Sequence, residues 1–208
     1  MNDPIMTAFG LVILIFSVII HEVSHGAAAY SMGDPTAKAM GRLTMNPIPH
    51  IDLYGSIILP GLMLIFGTPF LFGYAKPVPV NYLNLTNRKW GPALVALAGP
   101  GSNFVLGISL GLVYRVLTIM TDLNPQVAGL FLTAILVNFA LGIFNSLPIP
   151  PLDGFKIIAP LLPYSFLRSR VYQVLEQQGI VFLLIFIIFF GGVLTPLIFG
   201  ATRLVMGI

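Results

Sequence analysis

Apolar residues run along this chain in long unbroken blocks. They show neither the alternation of a half-buried strand nor the single stripe of a surface helix. Four blocks, roughly 6–29, 91–119, 126–147 and 179–206, reach the length of about 20 residues that a bilayer crossing needs. The last carries Gly191, Gly192 and Pro196 and is expected to kink or break there. A fifth apolar stretch, 55–73, holds Gly55, Pro60, Gly61, Gly67, Pro69 and Gly73, poor material for one straight helix. Beyond it, the prolines of Lys76-Pro77-Val78-Pro79-Val80 predict extended backbone at the membrane surface, a strand or a short hairpin. The pattern therefore predicts an all-α polytopic membrane protein, with about four to six transmembrane helices, a re-entrant segment and a short surface hairpin. All of it is expected to form one membrane-embedded domain over residues 1–208.

Composition agrees with the pattern. Of 208 residues, 57% are hydrophobic and 8% are charged, against about 25% charged in a typical soluble domain. The chain has no Cys, which excludes disulfides and thiolate metal sites. Its net charge of +3 is spread out, without a basic cluster interleaved with aromatics, so a nucleic-acid partner has no support. The first apolar block lacks a basic leader, and cleavage after it would strand the polar motif at its end, which argues against a removable signal.

The charges orient the spans. Lys38, Arg42, Lys76, Arg88 and Lys89 lie between the first span and the second, and Lys156, Arg168 and Arg170 follow the third. The opposite loops are short and poor in bases. The positive-inside rule then puts the N-terminus outside and the far end of the first span at the cytoplasmic face. A full crossing by 55–73 would turn the basic loop after residue 154 outward, so that stretch is read as dipping in and returning. Arg115 sits near the outer end of its span, where it can snorkel.

The candidate chemistry begins where the first block ends, at His21-Glu22-Val23-Ser24-His25. Two imidazoles one helical turn apart can grip one ion, and the glutamate between them is placed to act as a general base. Chance assembly of this pattern from the chain's own composition is on the order of 10⁻³ or below. A carboxylate at membrane depth costs about 2.5–3.5 kcal/mol even on the lenient scale, and a divalent cation offsets that cost. A catalytic zinc takes three protein ligands and keeps one open position. The third ligand must come from His50, Asp3, Asp34, Asp52, Asp122, Asp153 or Glu176. The topology puts Asp3 and Asp122 on the wrong side. Asp34 reads as part of a turn, and Glu176 as part of a solvated helix face. Asp153 follows a proline-stiffened run, which suits a ligand that must be held within a few tenths of an ångström. His50 and Asp52 are the runners-up, read mainly as structural or as lining a water path.

The motifs together resemble the site-2 protease family of intramembrane zinc metalloproteases. They are His21-Glu22-Val23-Ser24-His25, then Ala98-Gly99-Pro100-Gly101-Ser102-Asn103, then Asn145-x-x-Pro148-x-Pro150-Pro151-Leu152-Asp153-Gly154. The likeness runs over roughly residues 15–160, and Phe72 to Val80 resembles the compact prokaryotic branch, with Tyr74 where that branch would carry Trp. The resemblance implies that His21, His25 and Asp153 hold one zinc ion and that Glu22 is the catalytic base. It suggests Asn145 as a polar group facing the reacting carbonyl, and Asn103 as a substrate-facing or polar packing residue. It implies a zinc metalloendopeptidase in the cell membrane, with its site towards the cytoplasm, acting on single-pass membrane proteins. No PDZ or CBS domain fits, and nothing sets an oligomeric state. The rival readings are a membrane metal or ion transporter and a catalytically silent scaffold. Neither requires a glutamate between two ligands, and no internal repeat of a secondary transporter is visible.

Overall fold

The structure is a computed structural model that describes residues 4–58, 62, 65 and 75–208. Among the described residues it is helical and has no strand. The chain runs through α1 (Pro4–Ser31), α2 (Thr36–Ala39), α3 (Gly91–Met120), α4 (Pro125–Asn145), α5 (Asp153–Ile158), α6 (Tyr164–Leu167), α7 (Arg170–Gln177) and α8 (Gly179–Met206). Helices α1, α3, α4 and α8 are long and apolar enough to cross a membrane, and they fall on the four predicted blocks.

Local chemistry sets the ends. Asn124 caps α4, its side chain accepting from the Gln126 N–H, with Pro125 in the first turn where a missing N–H costs nothing. Ser169 caps α7 by accepting from the Tyr172 N–H. Helix α8 stops at Gly207 in the left-handed region, φ 78°. The expected break at Gly191, Gly192 and Pro196 does not occur, and α8 is one helix with Pro196 inside it. Proline is tolerated in a spanning helix because neighbours and local adjustment satisfy the freed carbonyl.

Helix α3 is the centre of the bundle, packing against α1, α4, α5 and α8. Tyr114, Ile135, Phe139 and Met206 form one buried cluster, and Ala29, Leu85 and Val95 another. Large apolar side chains on the outside, such as Leu11, Phe16, Leu112, Ile119 and Phe189, are exposed. In a polytopic membrane protein they meet lipid. Arg115 donates to the Leu204 carbonyl, tying the far end of α3 to α8.

Leu53–Ile58 forms a turn of π-helix whose first N–H groups, at Tyr54 and Gly55, are accepted by Asp52. The rest of the predicted re-entrant stretch, apart from residues 62 and 65, lies outside the described residues, as does Tyr74. Residues 75–81 form neither helix nor strand, and no described strand pairs with them as a hairpin partner. Side chains hold this strap instead. Arg42 donates to the Lys76 and Pro77 carbonyls, and the Lys76 N–H reaches the His50 carbonyl. Two prolines remove two of the N–H groups that a ladder would use.

Asp34 anchors the far end of the strap. Fully buried, it accepts from the Asn81 N–H at 2.7 Å, from Asn84 Nδ2 at 2.9 Å, and from the Thr36 hydroxyl and N–H. Burial pushes its carboxyl up, but these donors outweigh that and hold it below the ordinary carboxylate range. A lowered folded-state pKa means stability present above the unfolded value of about 3.9 and lost as pH falls below it. Asp34→Ala is therefore expected to lower the thermal midpoint in detergent at pH 7 by about 4–8 °C. The gap should narrow below about pH 4. Equal midpoints at pH 7 would show that the strap does not depend on this carboxylate.

Candidate metal centre

The His-Glu-x-x-His run lies two-thirds of the way along α1, so His21 and His25 project from one face. Asp153 is brought to them from the first turn of α5. The atoms converge closely. His21 Nε2 and His25 Nε2 each lie 3.1 Å from Asp153 Oδ2, and 3.1 Å from each other. His21 and Asp153 are buried and His25 nearly so. Among the described residues these three are the group of His and carboxylate side chains close enough to share an ion.

The other nitrogen of each ring decides what the group can hold. His25 Nδ1 lies 2.7 Å from the Val95 carbonyl, an obligate acceptor, so His25 donates there. His21 Nδ1 lies 2.7 Å from Asn103 Oδ1. Asn103 Nδ2 donates to the Ser17 carbonyl at 3.2 Å, which leaves its oxygen facing His21, so this ring donates too. Both Nε2 atoms are then acceptors, and with Asp153 Oδ2 they make three acceptors at one point. Only positive charge there, a proton or a metal ion, reconciles them. A tetrahedral ion with bonds of about 2.0–2.1 Å sets its ligand atoms about 3.3 Å apart. Two imidazoles and one carboxylate at 3.1 Å are the nitrogen and oxygen donor set that suits zinc.

Two glycines allow the approach. A methyl on Gly99 would overlap both imidazoles, so α3 can pass behind the rings only without a side chain there. A methyl on Gly154 would collide with the Ser146 and Leu147 carbonyls, which fold back over the start of α5. Pro100, next to Gly99, lacks the N–H that would bond the Ala96 carbonyl.

A cavity of about 360 Å³ opens onto the three ligands. Glu22, Val78, Val95, Asn145, Leu152 and Lys156 are among its walls. Glu22 Oε2 accepts from the Val78 N–H at 2.8 Å, which fixes the carboxylate on the wall beside the ligands. Asn145 reaches the cavity, with one amide hydrogen given to the Leu141 carbonyl at 3.0 Å. Lys156 Nζ stands 3.9 Å from Asp153 Oδ1.

Of the two roles suggested for Asn103, substrate contact and polar packing, its surroundings support packing and not the contact. Its side chain is fully buried between α1, α3 and α4 and spends its oxygen and both amide hydrogens on His21, Ser17 and Asn138. It packs behind the metal group. His50 and Asp52 lie outside the group. His50 Nε2 donates to the Thr44 carbonyl, and Asp52 caps the π-turn. Sequence reading missed Val78, which acts through its backbone N–H, and Asn138. For Val78 the one available signal was its position between two prolines.

Residues 118–186 match the family model described as Peptidase family M50. "Putative zinc metalloprotease YwhC" of Bacillus subtilis is 38% identical over 197 residues, covering 90% of this chain and 84% of its own length. "Putative zinc metalloprotease Rip2" of Mycobacterium tuberculosis is 32% identical, over 81% of this chain and 62% of its own. "Zinc metalloprotease MJ0392" of Methanocaldococcus jannaschii is 26% identical, over 81% of this chain and 39% of its own. The chain thus spans less than two thirds of the last two relatives. No solved structure matches it significantly.

Gly99→Ala is expected to push the rings apart and weaken zinc binding at least about tenfold. Gly101→Ala, whose methyl would meet open space, should leave it unchanged. Competition against a chromophoric chelator measures both. Wild-type affinity in Gly99→Ala would show that the rings do not depend on that gap.

Proposed function

This chain belongs to the site-2 proteases of peptidase family M50, a family of zinc metalloproteases, and we propose that it cuts peptide bonds within or beside the spanning segments of other membrane proteins. The observation that carries this reading is the convergence of His21, His25 and Asp153 at 3.1 Å, with the Glu22 carboxylate on the wall of the same cavity. His21, His25 and Asp153 hold the zinc. Zinc in such a site polarises a carbonyl and acidifies water.

The remaining steps belong to the chain's own groups. Glu22 takes the proton of the attacking water and delivers it to the leaving amine, so that the scissile C–N bond breaks with a neutral amine product. The Val78 N–H keeps the Glu22 carboxylate oriented through the transfer. Asn145 keeps one amide hydrogen for the carbonyl oxygen as its charge grows, a kind of contact whose loss costs about 10²–10³ in rate.

The substrate class follows from depth. A peptide bond inside a spanning helix already has its N–H and C=O paired, so the helix must unwind locally before it can enter the cavity. Gly, Pro or Asn near the cut favours that. The substrate in this reading is a single-pass membrane protein, and the charge pattern of the loops supports a site towards the cytoplasmic side of the cell membrane.

Glu22→Gln should reduce cleavage of a single-pass substrate by at least about 10²–10⁴ while zinc stays bound one to one. Mass spectrometry of the products and metal analysis of the same preparation check the two halves. Cleavage at a near-native rate would remove Glu22 as the base. Loss of zinc from the variant would make it a ligand instead.

A further inference from the structure

His21 can turn a lone pair towards the ion from Nε2 only if the proton of its ring sits on Nδ1. That choice is made outside the metal group, by a line of buried amides crossing from α4 through α3 to α1. The line starts at the Ala134 carbonyl, which can only accept. Asn138 therefore presents Nδ2 to it, at 2.9 Å, and its Oδ1 is turned towards Asn103. Asn103 Nδ2 donates to that oxygen at 3.1 Å and to the Ser17 carbonyl at 3.2 Å. With both hydrogens spent, Asn103 has only Oδ1 left for His21 Nδ1.

We propose that Asn138 is a positioning residue for the metal site: by accepting from Asn103 it fixes the His21 proton on Nδ1 and leaves Nε2 free for zinc. The inference rests on the reading of His21 as a ligand. Asn138 is 2% exposed, Asn103 0% and Ser17 3%, so no solvent competes for these bonds. Reversing Asn103 would set its oxygen against two acceptors and an N–H against Nδ1, leaving several buried groups unpaired at once. The same reversal would favour a proton on Nε2, where His25 and Asp153 already converge. Asn138 does this without a hydrogen bond to any ligand, and Phe139, next to it on α4, belongs to the apolar core.

Three chains are compared as purified full-length protein in detergent, by zinc competition against a chromophoric chelator. Asn138→Leu keeps the volume and loses the acceptor, and it should weaken zinc about tenfold or more, the usual range for a group that orients a ligand. Asn138→Asp, as a neutral acid at membrane depth, keeps an acceptor for Asn103 and should stay within about threefold of wild type. His21→Ala should lose stoichiometric zinc. In parallel, nitrogen NMR of metal-free wild-type protein labelled at histidine should find His21 protonated on Nδ1, a measurement that stands even if Asn138→Leu does not fold. Unchanged zinc affinity in Asn138→Leu, or a His21 Nδ1 without a proton in wild type, overturns the proposal and leaves the ligand assignment in place. Full zinc affinity in His21→Ala sinks the ligand assignment and the proposal with it.

Discussion

A polar group inside an apolar bundle has no water to fall back on, so it must be satisfied by the protein or not be there. Few polar side chains lie buried in the described spanning helices, and Thr202, Asn103, Asn138 and His21 each find a partner there. Thr202 returns its hydroxyl to its own helix, at the Ile198 carbonyl. Ser17, Asn103, Asn138 and His21 form one connected line, in which each donor meets an acceptor in sequence. The line ends at three acceptors that have no donor between them. A metal held there, as proposed, would complete it, making the site the last member of the buried polar network and not an addition to a finished bundle.

This explains which parts were legible in the sequence. The four spans were, because a run of about 20 apolar residues has few other uses, and their ends fell within two residues of the observed ones at most boundaries. The two histidines and Glu22 were legible because their spacing is local to one helix. Asp153 was one of seven candidates on chemistry alone. The turn at Asp34 was recognised, but not that the same carboxylate reaches Asn81 and Asn84 more than 45 residues on. Which of its two suggested roles Asn103 plays was not legible, because an amide's partners are chosen by tertiary packing. Gly99 stood in a quoted motif, yet only the passage of α3 behind both rings shows why a side chain is forbidden there.

The strap over residues 75–81 shows a different limit. Its prolines announced that it would not be helical, and that holds, but the same prolines strip it of the donors a hairpin needs. Charged side chains fill the gap. Arg42 takes its carbonyls, Asp34 its last N–H, and Glu22 the N–H of Val78 between the two prolines. Val78 is itself buried and Val80 packs against the cluster of Ala29, Leu85 and Val95, so apolar contact adds to these bonds. One of the strap's three charged anchors is the carboxylate proposed to move the proton, so the order of the strap and the aim of the base are one property.

Lipid removes most of the hydrophobic drive for helices to associate, leaving close packing and polar contacts to hold a bundle. Here α1 meets α3 closely through Gly99, and the amide line stitches α1, α3 and α4. Helix α5 packs on α3, and its Phe155 ring stacks on Tyr172 of α7, 5.3 Å between centroids. A zinc ion gripped by two side chains of α1 and the first residue of α5, as proposed, would close that circuit. Binding free energy spent on a ligand set drawn from two elements is also free energy of holding those elements together. The three atoms proposed to hold the ion would then act as a clamp between α1 and α5, and the polar groups behind them would need the same alignment as the ligands themselves.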